Sequence, residues 1–474
     1  MSGPENPIPQ PAPESNRIRP AGGTENSWCK AVPGGTGITT LALLISKPPD
    51  IQHLQNVLHK LQLTHPILNS KLHYNPTTSA YSYVIAPTPQ LQIQQFDLAS
   101  TSEILHSGIN PGNSVSDFHL ILEHELNRNT WRDPAPLSDL DLFFASVYNL
   151  SSDDKWVVAL RLHTSICDRA TAVSLLRDVL RLMCAETEES AEKEIDTAAE
   201  IRLGIEDYVP SEKGKKAFWA RGVDVLGYSL NSFRLSNLGF KDAQSPRSSL
   251  VIRLQLNAQH TQQILSGCQS RNIKLSGLLA AAGLLAAHSS KGLPAHHYEK
   301  YAVVTLIDCR STLDPVLTSS DYGFYHSAVL NTHDVNGEEG LWEMARRTHE
   351  SFTRAKNNNK HFTDIADVNF LMCKAIENPG LTPSSSLRTA LISVFEDPVI
   401  DHSNEMHERL GLEDYVGCAS SHGVGPSLAI FDTIKDDQLD CACVFPSPLH
   451  SREQMQELIE EMKRILVEGS NEAE

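Results

Sequence analysis

The sequence contains no apolar run approaching the roughly 20 residues needed to cross a bilayer. Its N-terminus also lacks the basic-then-apolar pattern of a secretory signal, so a soluble, cytosolic protein is expected. Positive charge is in short supply. With 40 Lys and Arg against 58 Asp and Glu, the formal charge is −18, a balance that repels phosphate backbones and excludes nucleic acid as a natural partner. Two common hydrolytic devices are missing as well, the Gly-x-Ser-x-Gly elbow and the His-Glu-x-x-His metal motif. The run Gly34-Gly35-Thr36-Gly37 lacks the Lys-Ser/Thr of a phosphate loop and precedes a strand, so it reads as a turn. Nine widely spaced cysteines, most of them in apolar segments, read as reduced core thiols. Only Cys441 and Cys443 are close, and with no second Cys or His pair nearby no metal is expected there.

The sequence does contain enough apolar material for two cores. Hydrophobic residues make up 40% of 474, and that length suits two domains of about 200 residues each. Residues 1–20 are Pro-rich with few large apolar side chains and are expected to be a disordered tail. A first lobe is expected over 21–200, ending in the acidic stretch 186–200, followed by a crossover linker over 201–247 and a second lobe over 248–474. In the first lobe a strand follows the glycine turn, a helix starts at Asp50, and 142–150 with 155–164 form a hairpin running into a helix. Val173, Leu176, Val179, Leu180 and Met183 mark that helix's buried face. In the second lobe, strands are expected at 249–256, 301–308, 324–331, 389–395, 427–434 and 439–445. An Ala- and Leu-rich helix at 274–290 is apolar nearly all round, and an amphipathic helix closes the chain at 451–467. Strands and helices mix in both halves, an α+β class.

At the hairpin-to-helix junction stands His163-Thr164-Ser165-Ile166-Cys167-Asp168-Arg169. This stretch resembles the His-His-x-x-x-Asp-Gly signature of the CoA-dependent acyltransferase superfamily, which includes chloramphenicol acetyltransferase, plant BAHD enzymes, alcohol acetyltransferases and peptide-synthetase condensation domains. Leu306-Ile307-Asp308-Cys309-Arg310 is similar to the family's Asp-x-Arg, Tyr322-Gly323-Phe324-Tyr325 to its Gly-aromatic turn, and Ser421–Pro426 loosely to a late glycine-containing element. The matches fall in the family's order. They imply two chloramphenicol acetyltransferase-like lobes enclosing a channel, with acyl-CoA as co-substrate and a small-molecule alcohol or amine as acceptor. They also imply an ion pair between Asp168 and Arg310 that links the lobes.

Two positions depart from the pattern: Thr164 stands where the family has its catalytic histidine, and Arg169 where it has glycine. A threonine hydroxyl is a poor base at neutral pH, whereas an unperturbed imidazole, with a pKa of about 6.5, is suited to taking a proton from the acceptor. Thr164 is therefore assigned a structural or positional role. His163 is the replacement base if a bulge turns it toward substrate, since neighbours on a strand otherwise face opposite ways. His326 and His422 are candidates from the other lobe, and Arg169 offers a cation to an acidic ligand or to CoA phosphates. Two functions stay open: an acyl-CoA-dependent acyltransferase, or a catalytically inactive descendant that binds a ligand or a protein partner.

Overall fold

The computed structural model describes residues 17–107, 115–132, 139–150, 155–185, 201–216, 235–294, 296–378 and 388–471. The expected tail up to residue 16, the acidic stretch 186–200 and the middle of the crossover lie outside the described residues.

Two large sheets organise the chain. The first has five strands in the order Leu412–Ser421, Thr36–Ile45, Lys155–His163, Phe143–Leu150 and Ile93–Phe96. Its inner strands Thr36–Ile45 and Lys155–His163 are rich in β-branched and apolar residues because both faces are covered. On one face pack the helices Ile51–Thr64 and Arg169–Met183, which contact each other and bury Leu54, Leu58, Leu175 and Val179 with Leu160 and Leu162 of the sheet. Asp50 starts the first of these helices by accepting from the His53 N–H at 2.9 Å.

The second sheet has seven strands. Its main path runs His326–Val335, Glu299–Asp308, Ile392–Phe395, Leu428–Lys435, Gln438–Ser447 and Ser248–Leu256, with Val399–Asp401 also pairing with Leu428–Lys435. The helices Leu275–Ser289, Leu341–Asn357 and Arg452–Asn471 supply the opposing side of its core. Leu275–Ser289 is apolar all round because thirteen of its residues are buried. Cys441 and Cys443 lie fully buried in this core. The helices Leu341–Asn357 and Ile365–Glu377 were not anticipated, nor was the helix Gly23–Ala31 ahead of the glycine turn.

Two sequence expectations need correction. Residues 18–20 are not tail: they form the edge strand of a small third sheet, paired with Ala80–Ile85. There Arg19, 8% exposed, makes a two-pronged bond to Glu25 at 2.7 and 2.6 Å, an anchor that Pro-rich composition does not reveal. The boundary at residue 248 divides the sequence but not the sheets. Leu412–Ser421, from the second half, pairs antiparallel with Thr36–Ile45 as the outer strand of the first sheet. A shared core of Ala42, Val157 and Ala159 with Val251, Ala429 and Val444 joins the two large sheets over part of their facing surfaces.

The glycine turn seats this crossing strand. Gly35 has φ +97°, and a Cβ placed there would stand 2.0 Å from the His422 ring, just past the strand's end. His422 cannot yield easily, because its N–H donates to the Gly35 carbonyl at 3.2 Å and its Nδ1 lies 3.0 Å from Ser249 Oγ. Gly35→Ala combines a left-handed backbone with a steric clash and is expected to cost about 2–4 kcal/mol, measured by urea unfolding.

Candidate functional site

The strand Lys155–His163 ends in a tight turn over Thr164–Ile166, after which Asp168 caps the helix Arg169–Met183. Asp168 Oδ1 accepts from the Thr171 N–H at 2.8 Å and from Arg310 Nη2 at 3.1 Å. Its Oδ2 accepts from Arg310 Nη1 at 2.9 Å and from the Tyr325 N–H at 2.7 Å, and His326 Nδ1 stands 3.0 Å away. Arg310 follows directly on the strand Glu299–Asp308 and also pairs with Asp308 at 2.9 Å. The inter-lobe ion pair expected from the motif is therefore present and two-pronged. Burial by itself would raise the Asp168 pKa, but the Arg310 guanidinium prevails and holds it well below the usual carboxylate range. The turn Tyr322–Tyr325 closes the arrangement, since Gly323 O accepts from both Asp168 N–H and Thr171 Oγ1.

The other expected site residues divide into those that face the inter-lobe space and those that do not. His163 does not. Its ring is buried edge-on against Trp131, with centroids 5.2 Å apart, and its Nδ1 accepts from the Ser165 N–H at 3.2 Å. No bulge turns it outward, and strand alternation puts it on the core side. Burial depresses its pKa to about 3, so the assignment of His163 as catalytic base is corrected to a neutral core residue. His422 is likewise structural, committed to Ser249 and Gly35, and burial with nearby Arg132, Arg388 and Arg247 lowers its pKa to about 4. Thr164 does face the space, where its hydroxyl bonds that of Thr39 at 2.7 Å. Arg169 is not an open cation. Its guanidinium crosses to the second lobe, lies 2.9 Å from the buried Asp432 carboxylate, donates to the Asp432 carbonyl and covers the Phe395 ring at 4.2 Å. His326 lines the space, flanked by Phe324 and Phe395.

These residues border a cavity of about 980 Å³ between the two large sheets. Its wall is mainly apolar, with Trp28, Leu41, Val173, Leu176, Phe395 and Phe431 among the larger contributors. Part of the wall is the helix Ile365–Glu377, through Val368, Leu371 and Met372. Volume and lining suit a mostly apolar small molecule held by a few polar groups. Sequence reasoning missed Thr39, which looks like an ordinary strand residue, and Arg388, which lines the cavity from a stretch with no recognisable motif. Among the described residues no cluster of side chains suits a metal ion, and no helix is long and apolar enough to cross a membrane.

No family model matches this sequence, and no curated protein matches it. Solved structures do match in fold. The trichothecene 15-O-acetyltransferase of Fusarium sporotrichioides superposes with a TM-score of 0.71 at 12% identity, covering 97% of both chains. Polyketide synthase associated protein 5 from Mycobacterium tuberculosis gives 0.64 at 15%, covering 96% of this chain and 98% of its own. The epimerization domain from the third module of tyrocidine synthetase B gives 0.60 at 13%, covering 93% and 92%. The chain thus has the two-lobed fold of CoA-dependent acyltransferases and condensation-type domains.

Two outcomes are expected. Arg310→Met leaves the Asp168 carboxylate buried without its main counter-charge and should cost roughly 3–5 kcal/mol in equilibrium unfolding. His163 takes up a proton in the unfolded chain near pH 6.5 but resists it when folded, down to about pH 3. Stability at this position is therefore full above pH 6.5 and lost on acidification, by roughly 2 kcal/mol between pH 6.5 and 5. His163→Gln should lose that much less than wild type over the same interval.

Proposed function

We propose that the protein transfers an acyl group from a thioester donor, acyl-CoA, to an alcohol or amine acceptor bound in the inter-lobe cavity, with His326 as general base. The observation that carries this reading is the contact between His326 Nδ1 and Asp168 Oδ2 at 3.0 Å on the cavity wall. A carboxylate standing this close to Nδ1 favours the proton on that nitrogen and leaves Nε2 as the proton-accepting one, although the contact lacks the alignment of a full hydrogen bond. Thr164 then needs no basicity: of the two hydroxyls it shares with Thr39, one donates to the other and the remaining proton is offered to the oxyanion.

In the proposed reaction the acceptor oxygen or nitrogen attacks the thioester carbonyl while Nε2 of His326 takes its proton. The tetrahedral oxyanion collapses, the C–S bond breaks, and the imidazolium returns the proton to the departing thiolate. The products are the ester or amide and the free thiol. Asp168 stabilises the transient imidazolium, and Arg310 keeps Asp168 ionised. The apolar wall favours an apolar acyl chain or acceptor.

A second reading, ligand binding without turnover, is supported by Thr164 at the family's base position and by Arg169, which crosses to Asp432 where the family has glycine. Thiol release from a panel of acyl-CoAs, with mixed alcohol and amine acceptors, separates the two. The transferase reading expects His326→Gln to reduce release about 10²–10⁴-fold and His163→Gln to retain it. If His326→Gln matches wild type, the base assignment fails; if wild type binds ligands but releases no thiol, the binding reading replaces it.

A further inference from the structure

The described residues include four buried arginines: Arg19, Arg161, Arg310 and Arg388. Three have carboxylate partners, Glu25, Glu125 and Asp168 respectively. Arg388 has none among the described residues. It is 5% exposed, and among those residues its guanidinium meets main-chain carbonyls alone: Ser421 O at 3.0 Å, Pro426 O at 2.9 Å and Gly423 O. A guanidinium has five N–H donors, and here Nε has no acceptor. Carbonyl dipoles solvate a cation but leave its charge uncancelled, so burying an arginine in this way is costly.

The surroundings add to the charge instead of offsetting it. Burial and the nearby Arg247 lower the Arg388 pKa to about 9. Arg247 is itself only partly exposed and makes no ion pair among the described residues. His450 is fully buried with both ring nitrogens unbonded, and burial and the Arg388 charge hold its pKa near 4 even though contact with Gln454 works to raise it. Among the described residues no carboxylate contributes at Arg388, His422 or His450, although the chain as a whole carries −18. Arg388 also lines the cavity, along with Ser421, Val424, Gly425 and Pro426.

We propose that Arg388 is an anion-recognition residue, binding the carboxylate or phosphate head group of a mainly apolar ligand whose body fills the inter-lobe cavity. The ligand supplies the counter-charge the fold omits, and its head group takes the unused N–H donors of the guanidinium. The strand end at Ser421 and the turn to Pro426 hold Arg388 in place through their carbonyls, so the site is rigid before the ligand arrives. Arg247 and the neutral His450 supply further attraction and a polar surface beside it. This inference rests on the functional reading above only in taking the cavity as the ligand site; it holds whether or not transfer occurs.

The test is calorimetric binding to the full chain with no acyl donor present, using three ligands of one chain length: a saturated fatty acid, the corresponding alkyl phosphate and the corresponding alcohol. At least one anion should bind about 10- to 100-fold more tightly than the alcohol, and the tighter of the two identifies the head group. Arg388→Met should abolish that preference, bringing the anions down to the affinity of the alcohol. Arg247→Gln, outside the core, should reduce the preference and serves as the readout if Arg388→Met fails to fold. Equal affinity for all three ligands, or a preference that survives both substitutions, would overturn the proposal. Because no turnover is measured, these results are independent of whether His326 is the base.

Discussion

The Asp168 carboxylate is buried at the seam between two sheets, and a charge in that position has to be compensated from its surroundings. The compensation comes from both halves of the chain: the Thr171 amide from its own helix, and from the second half the two-pronged Arg310, the Tyr325 amide and the His326 ring. Each partner fixes a different element. Thr171 fixes the start of a helix, Arg310 the end of a core strand, Tyr325 the glycine turn, and His326 the first residue of the next strand. One side chain thus sets the spacing of the lobes and the position of the imidazole facing the cavity. In the family that this motif resembles, the aspartate is expected to be structural; here the same structural role also gives it a direct contact to the candidate base.

The parts of this arrangement that were legible in the sequence were local ones. The hairpin and the helix after it declare themselves by alternation followed by a helical period, and Asp168 sits where an N-cap belongs. The pairing of Asp168 with Arg310, 142 residues apart, was accessible only through motif resemblance. His163 shows the limit of that approach, since a motif indicates which residues matter but strand alternation decides which way they face. Val173 shows a different limit. Its apolar character on the helix was read as core-facing, whereas the side chain lines the cavity, and to a hydrophobic pattern a ligand space and a core look alike. The strand Leu412–Ser421 went unnoticed because it opens Leu-Glu-Asp-Tyr, a poor match to strand propensity, and its partner lies more than 360 residues earlier.

The cavity departs electrostatically from the protein around it. The protein is acidic overall, yet Arg388 stands at the wall with no carboxylate among the described residues, while Arg169, also at the wall, is balanced by Asp432. Burial raises the Asp432 pKa, and the Arg169 charge works against that rise. One cation thus serves cohesion between the lobes and the other is left for a guest. This distinction between a paired and an unpaired arginine on a shared wall cannot be seen from residue type.

The strand that crosses from the second half into the first sheet also imposes an order of events on biosynthesis. Thr36–Ile45 leaves the ribosome early, with one edge ready to pair with Lys155–His163, but its other edge has no partner until Ser421 has been made. Throughout that interval the nascent chain carries an open, apolar β-edge, the kind of surface that recruits other chains or chaperones. The first sheet is complete only once Ser421 has been translated. A truncation that removes the second half would therefore expose an edge strand in the first.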